Sequence, residues 1–380
     1  MSRNRSTVVL FMVVLCLPAP LMLVSAPPPR IQNRPLVELP EADVTALGDP
    51  AFYGSMDDYL SDHFPLRAGA IAVVADVEYR VFRMSLNPAV IVGRGDWLWY
   101  RDDLQPQCVR DPAKLLANID SLAAAFAASG RPFRHVIAPD KHVMYPQFLA
   151  SPWDERTTCV DVNREAFRAG AALRPDTTMD LWPLMFEERD RSGDVPIYWP
   201  QDTHWAPRAA LLAARQIVLA EPDSPWDDTV VHEAGTVDRF GDLLGQMGLV
   251  DYQTLPAYVV ERPGVTVTRT ALEPVGGLEG GHVVPVVWET TGDAPVIPGT
   301  TLFLYDSYGA GAAAYLAPWY ERMVWVHAGD TDLPNFLDVI PHFDRVVYEG
   351  VERYAYLTDP VHQLEPIFDR LAAGGFPARP

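Results

Sequence analysis

Thr301-Leu302-Phe303-Leu304-Tyr305-Asp306-Ser307-Tyr308-Gly309 is an apolar run that ends in a polar turn with glycine. A short apolar run bounded by turn residues reads as a buried strand. Reactive residues of α/β domains collect at the carboxyl ends of strands, and Ser307 stands at such an end, where a nucleophile would sit. Asp306 and Ser307 are also residue types that cap a following helix, so the stretch alone leaves both uses open. On either side the pattern alternates. Phe133 to Ala138, Met323 to Val326 and Arg345 to Tyr348 read as strands, and Leu115 to Phe126, Glu165 to Leu173 and Ala209 to Leu219 as helices. Such alternation predicts an α/β domain around a mostly parallel sheet. From about Tyr258 to Glu289 apolar residues alternate instead, as in Val265-Thr266-Val267-Thr268, which predicts a β-rich insertion or an antiparallel edge. Nearer the amino end, a helical pattern runs through Met56, Tyr59 and Leu60 and resumes from Leu66 to about Phe82. Val90-Ile91-Val92 and Trp97-Leu98-Trp99 flank the turn Gly93-Arg94-Gly95-Asp96 as two short strands.

Tyr198-Trp199-Pro200-Gln201-Asp202-Thr203-His204-Trp205 carries the second chemical signal. On extended backbone, residues two apart project to the same side, so Asp202 can orient His204 and stabilise its protonated form. Pro207 opens the helix that follows. An Asp-x-His triplet by itself is also a common structural hydrogen bond.

Composition narrows the class. The 380 residues are 48% hydrophobic, ample for a sizeable core, and the net charge of −20 excludes a general phosphate-backbone binder; nucleic acid is not an expected partner. The 36 prolines are dispersed, with no repeat period. Arg3 and Arg5 precede an apolar stretch from Thr7 to Ala26, about the length that spans a bilayer. It predicts export. Val24-Ser25-Ala26 offers a cleavage site, but Pro27 follows and obstructs signal peptidases, so an uncleaved anchor is expected, with a removed signal peptide as the alternative. The expected organisation is residues 1–26 as anchor or signal, 27–50 as a proline-rich linker, and 51–380 as the catalytic domain. Cys108 and Cys159 are the two cysteines of the exported part and are expected to pair, with two separately buried thiols as the alternative.

Six blocks occur in an order that resembles the SGNH-hydrolase-like domain of the alginate O-acetyltransferase family, in its J- and X-type periplasmic members. They are Tyr59-Leu60-Ser61-Asp62-His63-Phe64-Pro65-Leu66-Arg67, Val90 to Tyr100, Pro139-Asp140-Lys141-His142-Val143-Met144-Tyr145-Pro146, Asp202-Thr203-His204-Trp205, Asp306-Ser307-Tyr308, and Glu349-Gly350-Val351-Glu352-Arg353. The resemblance implies a three-layer α/β domain with a β-rich insertion. It assigns Ser307 as nucleophile, His204 as general base and acid, and Asp202 as orienter, with the serine after the histidine. It implies no cofactor and no metal.

The implied function is extracytoplasmic transfer of an acetyl group through an acyl-serine to a polysaccharide hydroxyl, with a polytopic membrane O-acyltransferase as donor and the chain held at the membrane by its first segment. A carbohydrate O-acetylesterase using the same triad, and a non-catalytic glycan-binding or assembly protein, are the alternatives. The net charge opposes a polyuronate acceptor, so a neutral or weakly charged glycan is expected rather than alginate. Ser307 N–H is one expected oxyanion donor, and the turn Arg239-Phe240-Gly241-Asp242 a candidate for the second. Lys141 and Tyr145 are either groove residues or a surface lysine and a core tyrosine. Glu352 and Arg353 are expected to form a structural ion pair. Trp97, Trp99 and Trp205 either stack on sugars or fill the core. Tyr308 stands where the family has phenylalanine, a conservative change, and the absence of a carboxyl-terminal carbohydrate-binding module favours the J-type layout.

Overall fold

The computed structural model describes residues 36–42, 46–64, 67–104, 111–153, 158–272, 284–328, 342–353, 367 and 369–370. The anchor expected at Thr7 to Ala26 lies outside them, as do Cys108 and the side chain of Cys159, and with them the expected disulfide. Among the described residues no helix is long and apolar enough to cross a membrane.

The chain runs α1 (Pro50–Asp62), α2 (Arg67–Val77), β1 (Val90–Val92), β2 (Leu98–Tyr100), α3 (Pro112–Ala128), β3 (Phe133–Ala138), α4 (Lys141–Met144), α5 (Thr158–Ala171), β4 (Thr178–Asp180), α6 (Trp182–Ser192) and α7 (Pro207–Leu219). It continues through β5 (Val231–Phe240), α8 (Asp242–Met247), β6 (Tyr252–Val260), β7 (Val265–Ala271), β8 (Val286–Gly292), β9 (Ile297–Tyr305), α9 (Ala313–Leu316), β10 (Tyr320–His327) and β11 (Arg345–Val351). Local chemistry sets the helix starts. Asp111 accepts from Ala113 N at 2.9 Å with Pro112 in the first turn, and Pro207 opens α7, where its missing N–H costs nothing. Helix α3 buries Leu115, Leu116, Ile119, Leu122 and Phe126, a stripe at helical spacing. Burying each such side chain is worth about 1.5–3 kcal/mol.

Seven strands form one sheet in the order β4-β3-β11-β9-β10-β8-β7 among the described residues. Pairing is parallel from β4 to β10 and antiparallel through β8 and β7. The alternation between Tyr258 and Glu289 thus resolves in two ways. Strands β7 and β8 are the antiparallel edge, whereas β6 leaves the sheet and pairs with β5 as a separate hairpin. Strand β5 was not expected: its residues are mostly exposed on both faces, so no apolar period marks it.

The site follows from the register. Val346 lies opposite both Phe133 and Leu302, and Val351 opposite Ala138. Because β3, β11 and β9 are parallel neighbours, their carboxyl ends reach one edge together. Asp140 and Lys141, Glu352 and Arg353, and Asp306 and Ser307 follow those ends directly.

Candidate active site

Residues 198–205 close on themselves. Tyr198 bridges Trp205, Trp199 N donates to His204 O at 3.2 Å, and Ala206 N to Ile197 O at 2.8 Å. Asp202 and His204 therefore do not sit on extended backbone as the sequence suggested. Asp202 forms an Asx turn: its Oδ1 accepts from His204 N at 2.8 Å and from His204 Nδ1 at 2.7 Å. The pairing survives for a different reason, since the turn brings carboxylate and ring together. With Nδ1 donating to Asp202, Nε2 is left as the basic nitrogen.

The other oxygen of Asp202 accepts from Arg239 Nε at 2.8 Å and Asp242 N at 3.1 Å. Burial alone would push the pKa of this almost fully buried carboxyl up. The hydrogen bond and charge of His204, and then the Arg239 guanidinium, outweigh it and hold Asp202 below the usual carboxylate range. Asp242 accepts in turn from Thr203 N at 2.8 Å and from Thr203 Oγ1 at 2.6 Å. The turn at 239–242 is thus a clamp on Asp202 and Thr203, with Arg239 Nε and Asp242 N both donating to the carboxylate, at the Nδ1 edge of the ring. Asp202, His204 and Asp242 bring ligand-type atoms within 4.8 Å of one another, and the Arg239 guanidinium lies against Asp202 and His204.

Ser307 is exposed at the end of β9, in a turn tied down around it. Asp306 Oδ1 accepts from Tyr308 N at 2.8 Å and Oδ2 from Val351 N at 2.7 Å, so Asp306 locks the turn to β11 rather than capping a helix. Tyr308, fully buried, packs its ring 5.2 Å from the His204 imidazole and donates its hydroxyl proton to Thr203 O. Trp205 Nε1 donates to Tyr308 O at 3.0 Å. The structure therefore brings the serine's turn against the Asp-His loop. Among the described residues no hydrogen bond joins Ser307 Oγ to His204, and such bonds tighten when substrate binds.

The supporting residues depart from expectation. Lys141 is neither at the surface nor in a groove: it is fully buried, and Nζ donates to backbone carbonyls of the histidine loop. Tyr145 is in the core, its hydroxyl accepting from Ile197 N at 2.8 Å. Trp97, Trp99 and Trp205 are core residues as well. Glu352 and Arg353 do not pair with each other. Arg353 reaches Asp103 at 3.0 Å, Asp140 at 2.5 Å and the Tyr308 hydroxyl at 3.4 Å, while Glu352 accepts from Asp140 N at 3.3 Å and faces Arg164 at 3.8 Å. Both lie just beyond the end of β11, and each turns to a partner of its own. The phenolic hydroxyl of Tyr308 makes its exchange for phenylalanine more than conservative. Sequence reasoning missed Asp103 and the clamping role of Arg239, which carry no motif of their own.

Known proteins resemble this chain. The family model for the SGNH hydrolase-like domain of the acetyltransferase AlgX matches residues 90–286, just over half of the chain, including Asp202 and His204 and ending before Ser307. A probable alginate O-acetylase AlgJ of Pseudomonas fluorescens is 25% identical over 187 residues, 48% of this chain and 45% of that protein. A second, from Pseudomonas syringae pv. tomato, is 23% identical over 43% of this chain and 41% of its own. The chain thus spans less than half the length of the curated relatives it matches. The solved O-acetyltransferase domain of Pseudomonas putida AlgJ covers 75% of this chain and 99% of its own at 18% identity, with a TM-score of 0.48. On the extent of the family match, the chain belongs to the AlgX family of SGNH hydrolase-like acetyltransferase domains.

Proposed function

We propose that the protein is an O-acetyltransferase acting on a polysaccharide, with Ser307, His204 and Asp202 as its triad. The observation that carries the reading is the 2.7 Å Asp202–His204 pair, set against the turn that presents Ser307. Ser307 Oγ attacks the acyl carbon while His204 Nε2 takes its proton and passes it to the leaving group. A sugar hydroxyl then attacks the acyl-serine; His204 removes its proton and returns it to Ser307 Oγ. Asp202, kept ionised by Arg239 and Asp242 N, stabilises the imidazolium of both steps.

The named relatives are alginate O-acetylases. For this chain the net charge of −20 favours a neutral or weakly charged glycan over a polyuronate. A polytopic membrane O-acyltransferase outside this chain is the proposed donor, and the apolar stretch Thr7 to Ala26 the proposed tether that holds the domain outside the cytoplasm. The solvent exposure of Ser307 favours hydrolysis as the competing outcome, because water has access to the acyl-serine.

Purified protein incubated with p-nitrophenyl acetate and neutral oligosaccharides decides between them. Acetylated oligosaccharide by mass spectrometry, lost in Ser307→Ala and His204→Ala, is the expected result. Release of acetate alone would make the protein an esterase, and undiminished turnover by Ser307→Ala would remove the triad.

A further inference from the structure

Lys141 has no exposure to solvent, a rare position for a lysine. It opens α4 directly after β3, and its Nζ donates to Trp199 O at 3.2 Å, Pro200 O at 3.1 Å and Asp202 O at 2.7 Å. The rings of Trp97 and Trp99 lie 5.5 and 5.1 Å from the same nitrogen. An ammonium has three protons, and three carbonyls take them all. Those carbonyls belong to the loop that carries Asp202 and His204, and the shortest contact is to Asp202 itself.

We propose that Lys141 is a positioning residue for the Asp202–His204 pair, its ammonium holding the loop curled so that the Asp202 carboxylate stays on His204 Nδ1. The proposal rests on the triad reading above. A neutral amine has two protons and a lone pair, so one of the three carbonyls would then face a lone pair and the loop would loosen. Four charged groups face the ammonium: Asp202 in the loop, Asp103 in the turn after β2, Asp242 at the start of α8 and Arg353 after β11. Burial pushes the Lys141 ammonium down to about 8 against the pull of the three acids. Its charge is therefore lost on mild alkalinisation, and turnover goes with it.

The test uses the full chain, wild type and with Lys141→Met, Lys141→Arg and Ser307→Ala. Two quantities are read: kcat and KM for p-nitrophenyl acetate from about pH 6 to 10, and the low-field His204 Nδ1 proton by NMR. Wild-type kcat is expected to fall above about pH 8 with KM steady. Lys141→Met should lower neutral-pH kcat at least about tenfold with KM changed less than about twofold, and lack the alkaline limb. Lys141→Arg should keep part of the rate and move the limb upward. The His204 proton should persist in Ser307→Ala and broaden or shift in Lys141→Met. Wild-type kcat and an unshifted proton in Lys141→Met overturn the proposal. Should Lys141→Met not fold, a wild-type kcat flat across the alkaline range overturns it instead. Full turnover by Ser307→Ala would mark a failure of the triad reading, and the His204 proton, compared between wild type and Lys141→Met, still tests the role of Lys141.

Discussion

The hydroxyl of Tyr308 donates to the carbonyl of Thr203, joining the residue after the proposed nucleophile to the residue before the proposed base. Both groups are buried, so removing the donor leaves a carbonyl without its partner. Tyr308→Phe should cost about 1–3 kcal/mol of stability. Because the bond spans the two halves of the site, the loss in kcat should exceed what the unfolded fraction explains. Thermal denaturation and steady-state kinetics on one preparation measure both.

Arg239 keeps Asp202 ionised across a 2.8 Å bond. In Arg239→Ala the carboxylate loses its charged partner and part of its hold on the ring, so the neutral-pH rate should fall by roughly tenfold. Asp202→Asn should be worse at every pH, since it removes the imidazolium's counter-charge altogether. An unchanged neutral-pH rate in Arg239→Ala, measured by steady-state kinetics, would show that the guanidinium contributes only packing.

A Cβ at Gly309 would stand 2.5 Å from Glu349 Oε2 and 2.6 Å from Tyr305 Cβ, both on strands of the central sheet. Gly309→Ala should therefore cost about 1–3 kcal/mol and displace the turn that holds Ser307. Activity should drop further than the melting temperature implies.

Burial pushes the Glu352 carboxyl up to about 7, the nearby Arg164 offsetting only part of it. A raised folded value means that the folded state binds the proton more tightly. The contribution of Glu352 is fully present below the ordinary value of 4.5 and is lost as pH rises through about 7. Wild type should accordingly lose more melting temperature between those pH values than Glu352→Gln. Equal losses in the two proteins would exclude Glu352 as the source.

Cys108 and Cys159 should be oxidised in protein produced outside a reducing compartment, closing a loop of about fifty residues worth at most about 4 kcal/mol. Thiol titration in denaturant should find Cys16 as the one reactive thiol of the full chain. Three reactive thiols would refute the pairing.

Of the five described strands in the parallel part of the sheet, β3, β9, β10 and β11 were legible because each is an apolar run closed by turn residues, and the first residues beyond three of them supply the site, whereas the short β4 carries no such run. The Asp202–His204 pairing was legible as well, although through a turn rather than a strand. What was not legible depends on distant partners. A lysine reads as a surface residue until three carbonyls some sixty positions later are known to converge on it. Arg239 reaches Asp202 only because β5 pairs with β6, and β5 lacks any apolar period. Adjacent glutamate and arginine look like an ion pair in one dimension, whereas a strand end turns Glu352 and Arg353 apart.

Arg353 grips Asp140 across 213 positions of chain, and Tyr308 grips Thr203 across 105. Ribosomal synthesis reaches the histidine loop long before the serine, and the serine before the arginine that braces both. Under the proposed triad a nascent chain is therefore chemically silent until synthesis has passed Arg353, and its maturation waits on contacts of high sequence separation, which form slowly. With Ser307 as the proposed nucleophile, the order of the chain itself keeps acyl transfer from starting before the supports of the histidine loop have been made.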